Sequence, residues 1–454
     1  MAVLRPQSRI CPETTKMNLA ESMVQMPEAS PSSIPPASEL VFDFDLRESP
    51  SKFHDRECRI RLLDAFPTAH AIDFDDRLLV CHFRQLPPKP WPQRVAGVPC
   101  YLTDHDNDLG PFVSLIRRRD FSRIQLSQHL DLRDNEAAVD LVLDLVRDFF
   151  MQRAIPVTEI QFWSRLLIIV LEGGNDESFF RHGRLPQSVA QCNCFYLFDE
   201  EMARPSWRSL STVQRQSASV SGDPIDDTSH RLLRSGVILS SGQQSSQAGS
   251  EILTSSGILL RNHLGNEYLT VAAHGFPTEM DGAVYQPNHP GRIIGQVSQR
   301  FPHTDVALVK LDDAVQFRSE ASENEQVIPG RPAKFTGLSR AAETKLGDDT
   351  FLDSPFSGFL RGTTLCHADL RVPTTDDPVA PRQHTWVRCQ WHYMGQGSSR
   401  AMSGGMCGSA VWNKEHKVQG LFRYAPTSGL FVDFCMTVAV DDLLSKGYAV
   451  GGIV

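Results

Sequence analysis

Apolar and polar positions are arranged differently in the two halves of the chain. Between Glu136 and Arg153, Val139, Val142, Leu143, Val146, Phe149 and Phe150 fall on one stripe, while Asp140, Asp144, Arg147 and Asp148 face away. That period predicts an amphipathic helix packed on a core, with Asp134 or Asn135 placed to cap it. The segment Thr158 to Leu171 predicts a second helix, ending before Gly173-Gly174. Leu78 to Phe83, Val95 to Leu102 and Phe112 to Ile116 are short apolar runs of strand character. Together they predict a mixed α/β (α+β) domain over residues 40–200, of unknown role. Between the first two runs, Pro87-Pro88-Lys89-Pro90-Trp91-Pro92 reads as a stiff loop, with a proline-ligand segment the lesser alternative.

From Leu232 onward the texture changes. Short β-rich runs follow one another: Gly236 to Leu239, Gly257 to Leu260, Tyr268 to Ala273, Val306 to Leu311 and Val418 to Phe422. Gly, Ser, Asn and Pro punctuate them, the pattern of an all-β barrel or sandwich. Residues 1–39 are rich in Ser, Pro, Met and Glu and predict a disordered tail. Residues 201–230 are poor in large apolar side chains and predict an inter-domain linker.

Composition narrows the classes. A chain of 454 residues has room for two to three domains. Its net charge of -9 argues against general affinity for nucleic acid or anionic membrane, which needs clustered Lys and Arg. Arg117-Arg118-Arg119 is the one basic run and reads as a solvated edge. The longest aliphatic run, Leu166 to Leu171, is far short of the roughly 20 residues of a membrane span. Residues 1–30 show no apolar signal core, so the ten scattered cysteines are expected to be reduced thiols of an intracellular protein, cytoplasmic or nuclear.

Three segments carry candidate chemistry. Tyr268-Leu269-Thr270-Val271-Ala272-Ala273-His274-Gly275 is a β run ending in small residues and a histidine. In His303-Thr304-Asp305-Val306-Ala307-Leu308-Val309-Lys310-Leu311 an aspartate opens a hydrophobic strand. Gly404-Gly405-Met406-Cys407-Gly408-Ser409-Ala410-Val411-Trp412 is a glycine-rich turn entering a strand. In this order, the segments resemble the three catalytic blocks of chymotrypsin-like peptidases, with cysteine in place of the serine nucleophile. Such a cysteine resembles that of the picornaviral chymotrypsin-like cysteine proteases.

The resemblance covers residues 231–454 and implies a double β-barrel, the barrels spanning about 232–316 and 330–454. It implies a triad of Cys407, His274 and Asp305, and an oxyanion hole from the backbone N–H groups of Gly405 and Cys407. The family pattern places glycine two before and one after the nucleophile, so the resemblance implies Cys407, flanked by Gly405 and Gly408, rather than Ser409. Glycine at 405 is expected to permit a backbone turn that side chains disfavour. By the same resemblance, Ala401 stands at the pocket floor, where trypsin-like enzymes hold an acid, so cleavage after Lys or Arg is not expected. Phe422, Arg423 and Tyr424 are expected to form the substrate-edge strand, with Arg423 read as exposed rather than as a contact for an acidic side chain. Met406 stands where secreted members carry an activating aspartate. The expected function is an intracellular endopeptidase acting on polypeptides through a thioester, with no metal or organic cofactor. The alternative is an inactive peptidase fold that binds peptides or other proteins. Oligomeric state is not legible.

Other motifs fall short. Cys192-Asn193-Cys194 has the wrong spacing for a zinc knuckle. Asp104 to Asp108 begins like a calcium loop but lacks its later glycine and glutamate. Gly173-Gly174-Asn175-Asp176 has no Gly-Lys-Ser/Thr to make a phosphate loop.

Overall fold

The structure is a computed structural model. It describes residues 39–454 apart from 76, 107, 109, 112–123, 133–137, 174–184, 203–225, 245–250, 277–280, 322–331, 375–382, 403 and 453–454. The expected tail over 1–39 (apart from Glu39, which lies in a strand), the strand at Phe112 to Ile116, the arginine run, the caps Asp134 and Asn135, and most of the expected linker lie outside those residues.

The described chain is mostly β. A small five-stranded sheet comes first, in the order β1-β4-β5-β3-β2. Its strands are β1 (Glu39–Leu40), β2 (Ala69–Phe74), β3 (Leu79–Phe83), β4 (Arg94–Val95) and β5 (Val98–Thr103). Helix α1 (Arg56–Ala65), capped by the Asp55 carboxylate on the Glu57 and Cys58 amides, precedes β2.

Next come β6 (Ile124–Leu126), α2 (Val139–Gln152), β7 (Val157–Phe162), β8 (Leu166–Leu171), β9 (Pro186–Val189) and β10 (Cys192–Phe198). Helix α2 matches its apolar stripe: all six stripe residues are buried. Each contributes about 1.5–3 kcal/mol of transfer free energy before ordering entropy is counted. Its N-cap, Ala138, makes no side-chain cap. The helix expected over Thr158 to Leu171 is instead β7 and β8, joined through Ser164 at φ 62°. Leu167, Ile169 and Leu171 pack with α2 on one face of the sheet. Ile168 and Val170 pack with Trp391 and Phe434 on the other. A run buried on both faces has no polar stripe, so its periodicity cannot separate helix from strand.

The chain continues through β11 (Leu232–Arg234), β12 (Ile238–Gln244), β13 (Glu251–Ser255), β14 (Leu259–Arg261), β15 (Glu267–Ala272), β16 (Ala283–Gln286), β17 (Arg292–Phe301), β18 (Val306–Leu311) and β19 (Gln316–Arg318). Then follow β20 (Gly337–Leu338), β21 (Asp349–Ser354), β22 (Gly358–Pro373), β23 (His384–Tyr393), β24 (Ala410–Asn413), β25 (Lys417–Tyr424), β26 (Phe434–Ala439) and β27 (Ala449–Val450). One eight-stranded sheet has the order β13-β12-β16-β17-β18-β15-β14-β27.

A larger sheet has the order β21-β24-β25-β26-β23-β22-β7-β8-β10-β9-β6. The pairing of β22 with β7, His367 opposite Phe162 through Leu370 opposite Glu159, joins the two halves of the chain in one sheet. The larger sheet therefore does not end at the segment expected to be a linker. No helix among the described residues is long and apolar enough to cross a membrane.

Candidate active site

Strand register builds the first half of the site. β15 pairs antiparallel with β18, Ala272 opposite Val306. The residue after Ala272 therefore meets the residue before Val306, and the Ala273 amide donates to the Asp305 carbonyl at 2.8 Å. His274 follows in a short 3-10 turn, Ala273–Gly275. Its own amide donates to Asp305 Oδ1 at 2.9 Å, and its Nδ1 lies 2.7 Å from Asp305 Oδ2. Both carboxylate oxygens thus hold the His274 residue. Asp305 adopts φ 56°, a left-handed backbone that Asp tolerates better than most residues.

The Cys407 loop is tied to both sheets. On the β13 side, the Ser255 amide donates to the Cys407 carbonyl at 3.1 Å, and Ser255 Oγ donates to the Gly405 carbonyl at 3.0 Å. On the β25 side, the Gly408 amide donates to the Phe422 carbonyl, and the Phe422 amide to the Ser409 carbonyl. Gly408 has φ 90°, and a Cβ there would sit 2.8 Å from the Ser255 carbonyl and 2.9 Å from the Ala272 nitrogen. This close approach admits only glycine.

Gly405 is constrained differently from expectation. It is absent from the left-handed residues; the obstacle to a side chain is the Phe356 ring, 2.2 Å from where a Cβ would lie.

The structure brings His274, Asp305 and Cys407 together, all nearly inaccessible. Burial pushes the His274 imidazole down, but the Asp305 carboxylate and then the nearby Cys407 side chain raise it to about 9. Burial alone would push the Asp305 carboxyl up; the Arg423 guanidinium, then His274, outweigh it and hold it below the usual range.

Arg423 is the residue that sequence reasoning misplaced. It is 4% exposed, its Nη1 bonded to Asp305 Oδ2 and 2.9 Å from His274 Nδ1. The signal was there: a lone charge between Phe422 and Tyr424 in an apolar strand needs a buried partner. Phe422 and Tyr424 are buried too. β25 pairs with β24 and β26, and both backbone groups of Phe422 are taken, so Phe422 offers no edge to a peptide. Ala401 is half-buried against an apolar cluster that includes Phe356, Met394, Met402, Met406, Cys407 and Cys435.

The Cys407 sulfur lies 3.1 Å from the Arg423 carbonyl oxygen and 3.5 Å from that of Gly404. Gly404–Met406 winds into a 3-10 turn. Because a trans peptide points its C=O and N–H in opposite directions, the Gly404–Gly405 peptide turns its carbonyl, not the Gly405 amide, toward the sulfur. Among the described residues, no group of three or more His, Cys, Asp or Glu could hold a metal ion.

No known family model matches the chain, and no curated protein does. Similar solved structures exist. A glutamic acid specific serine protease, described as using a histidine triad in substrate binding, is 15% identical and covers 48% of this chain and 100% of its own, at TM-score 0.35. The Nocardiopsis protease NAPase is 16% identical, covering 48% of this chain and 98% of its own, at TM-score 0.33. The MamO protease domain of Magnetospirillum magneticum is 13% identical, covering 46% and 94%, at TM-score 0.27. Likeness at this level does not bear on catalysis, so the chemistry rests on the site's own geometry.

Proposed function

We propose that the chain is an intracellular endopeptidase of chymotrypsin-like double-barrel fold that cleaves polypeptides through Cys407, His274 and Asp305. The observation that carries this reading is the buried grouping of carboxylate, imidazole and thiol, the carboxylate hydrogen-bonded to the imidazole. An imidazole held up to about 9 is a base able to take the thiol proton when substrate binds, giving the attacking thiolate. The thiolate attacks the scissile carbonyl carbon, forming a C–S bond. The tetrahedral oxyanion collapses, the C–N bond breaks, and His274 passes its proton to the leaving amine. Water, deprotonated by His274, then hydrolyses the thioester. Asp305 keeps the imidazole oriented throughout.

Amides of Gly405 and Cys407 would stabilise the oxyanion by about 3–4 kcal/mol per donor. For that, the Gly404–Gly405 peptide has to turn over when substrate binds. The apolar cluster beside Cys407 has Leu253, Ala401 and Ala425 as half-buried members, which favours an apolar substrate residue there. The nine described cysteines are free thiols, in keeping with an intracellular setting.

One observation favours a second reading, an inactive peptide-binding protein. The two carbonyls facing the sulfur accept from a thiol and oppose a thiolate. The deciding measurement is the alkylation rate of Cys407 against pH, by mass spectrometry, in wild type and His274→Ala, followed by a peptide-library screen. Fast alkylation well below pH 8 that His274→Ala abolishes, with cleavage that Cys407→Ala abolishes, is expected. Slow alkylation indifferent to His274 in folded protein overturns the peptidase reading and leaves binding.

A further inference from the structure

Arg423 stands against the histidine–aspartate pair, and its place has a chemical consequence. Its Nη1 bonds the same oxygen, Asp305 Oδ2, that faces His274 Nδ1, and lies 2.9 Å from Nδ1 itself. A guanidinium carries donors only. In the neutral imidazole oriented by Asp305 as well as in the imidazolium, Nδ1–H donates to Asp305 Oδ2, so the guanidinium competes for that oxygen in both states. When His274 is an imidazolium, two cations share one carboxylate in a buried site. Charge therefore pushes toward neutral imidazole.

The geometry points to Arg423 as a positioning residue that divides Asp305 between two cations and limits how strongly His274 holds its proton. The inference rests on the peptidase reading for its use. A general base must also return its proton to the leaving amine, and proton transfer in both directions works best when its pKa stays near the working pH. Asp305 alone, buried beside His274, would make the imidazolium too stable to be a good acid. Arg423 offsets that while keeping the carboxylate ionised and oriented.

The groups facing His274 come from four elements. They are Asp305 ahead of β18, Cys407 ahead of β24, Arg423 on β25, and Arg300 on β17, whose Nη1 donates to the carbonyls of Ala273 and Phe276. Among the described residues, Arg423 is the cation bonded to the Asp305 carboxylate.

The test reads the imidazole directly. The full chain is labelled with ring-¹⁵N histidine, the His274 signals are assigned by their loss in His274→Gln, and Nδ1 and Nε2 shifts are followed against pH. Arg423→Gln is expected to move the deprotonation of His274 upward by about one pH unit or more. Arg423→Lys, which keeps the charge, is expected to stay within a fraction of a unit of wild type. Arg94→Gln, which removes a different buried arginine, is expected to leave the titration in place while lowering stability.

An unchanged or lowered midpoint in folded Arg423→Gln overturns the proposal. If Arg423→Gln does not fold, Arg423→Lys decides: a midpoint displaced as far as that of an Asp305→Asn control would overturn it. The readout needs no turnover. Absence of peptide cleavage would therefore sink the peptidase reading without deciding this one.

Discussion

Asp305 and Asp349 are both buried against arginine, and they do different things. Asp349 receives Arg94 at 2.8 Å, Arg47 at 3.0 Å and Arg361 at 3.4 Å. Arg361 also meets Glu39 at 2.9 Å, and Arg47 meets Asp45 at 2.8 Å. Burial, with Asp349 opposing it and Arg361 and Arg47 adding to it, brings the Arg94 guanidinium down to about 10. The guanidinium still donates to Thr363 Oγ1 at 2.7 Å and to the Gly97 carbonyl at 2.6 Å. These groups belong to the first hundred residues and to β21 and β22, so the cluster fastens the small N-terminal sheet to the larger one. Asp305 has one arginine, and on its other side an imidazole and then a thiol.

The difference lies in the titratable partner. A carboxylate surrounded by guanidinium groups meets no group that changes charge near neutrality, so it can only hold parts together. A carboxylate shared by guanidinium and imidazole faces a group that can give and take a proton. Burial strengthens both sets of interactions; in one place the result is a fastening, in the other a poised proton.

The comparison can be broken most sharply by neutralising each aspartate. Asp305→Asn is expected to slow acylation of Cys407 by a peptide ester about 10⁴-fold, because the orienting carboxylate is lost. Asp349→Asn should leave the rate per folded molecule unchanged; stopped-flow or burst kinetics on both variants reads this. In urea denaturation the order reverses. Asp349→Asn is expected to lose about 3–5 kcal/mol, since it strands buried Arg94 without its anion.

A pH series sharpens the contrast further. The His274 pKa is about 9 in the folded chain, above the roughly 6.5 of unfolded histidine. Its contribution is therefore fully present below pH 6.5 and lost as pH rises through 9, a change of about 3 kcal/mol. Wild type should lose that much relative to His274→Gln between pH 6.5 and 9.5, by parallel denaturation curves. The smallest effect concerns the frame around Cys407. Gly405→Ala drives a methyl into the Phe356 ring and is expected to cost about 1–3 kcal/mol. Gly405→Ala/Phe356→Leu should recover part of that loss, measured by thermal denaturation.

Much of the site was legible because each catalytic candidate sits in a contiguous string. Small residues before His274, an aspartate at the mouth of a hydrophobic strand, and glycines around Cys407 are local demands of chain geometry. Helix α2 was legible for the same reason: one stripe, one face. The two strands at 157–171 were not, because a segment covered on both sides carries no periodicity. Arg423 was not, because an arginine reads as solvated until its neighbours in space are known. The reason for glycine at 405 also lay elsewhere, in Phe356 some fifty positions earlier.

By itself, then, the sequence determined which side chains are available for chemistry and in what order along the chain. It also determined where small residues let backbones approach. Only the tertiary structure decided that β7 joins β22 and makes one sheet of two halves, and that Arg423 turns inward onto Asp305. It also decided that the Gly404 carbonyl faces the sulfur. Each of these depends on contacts between segments far apart in sequence, whose pairing follows from burial and hydrogen-bond satisfaction over the whole molecule.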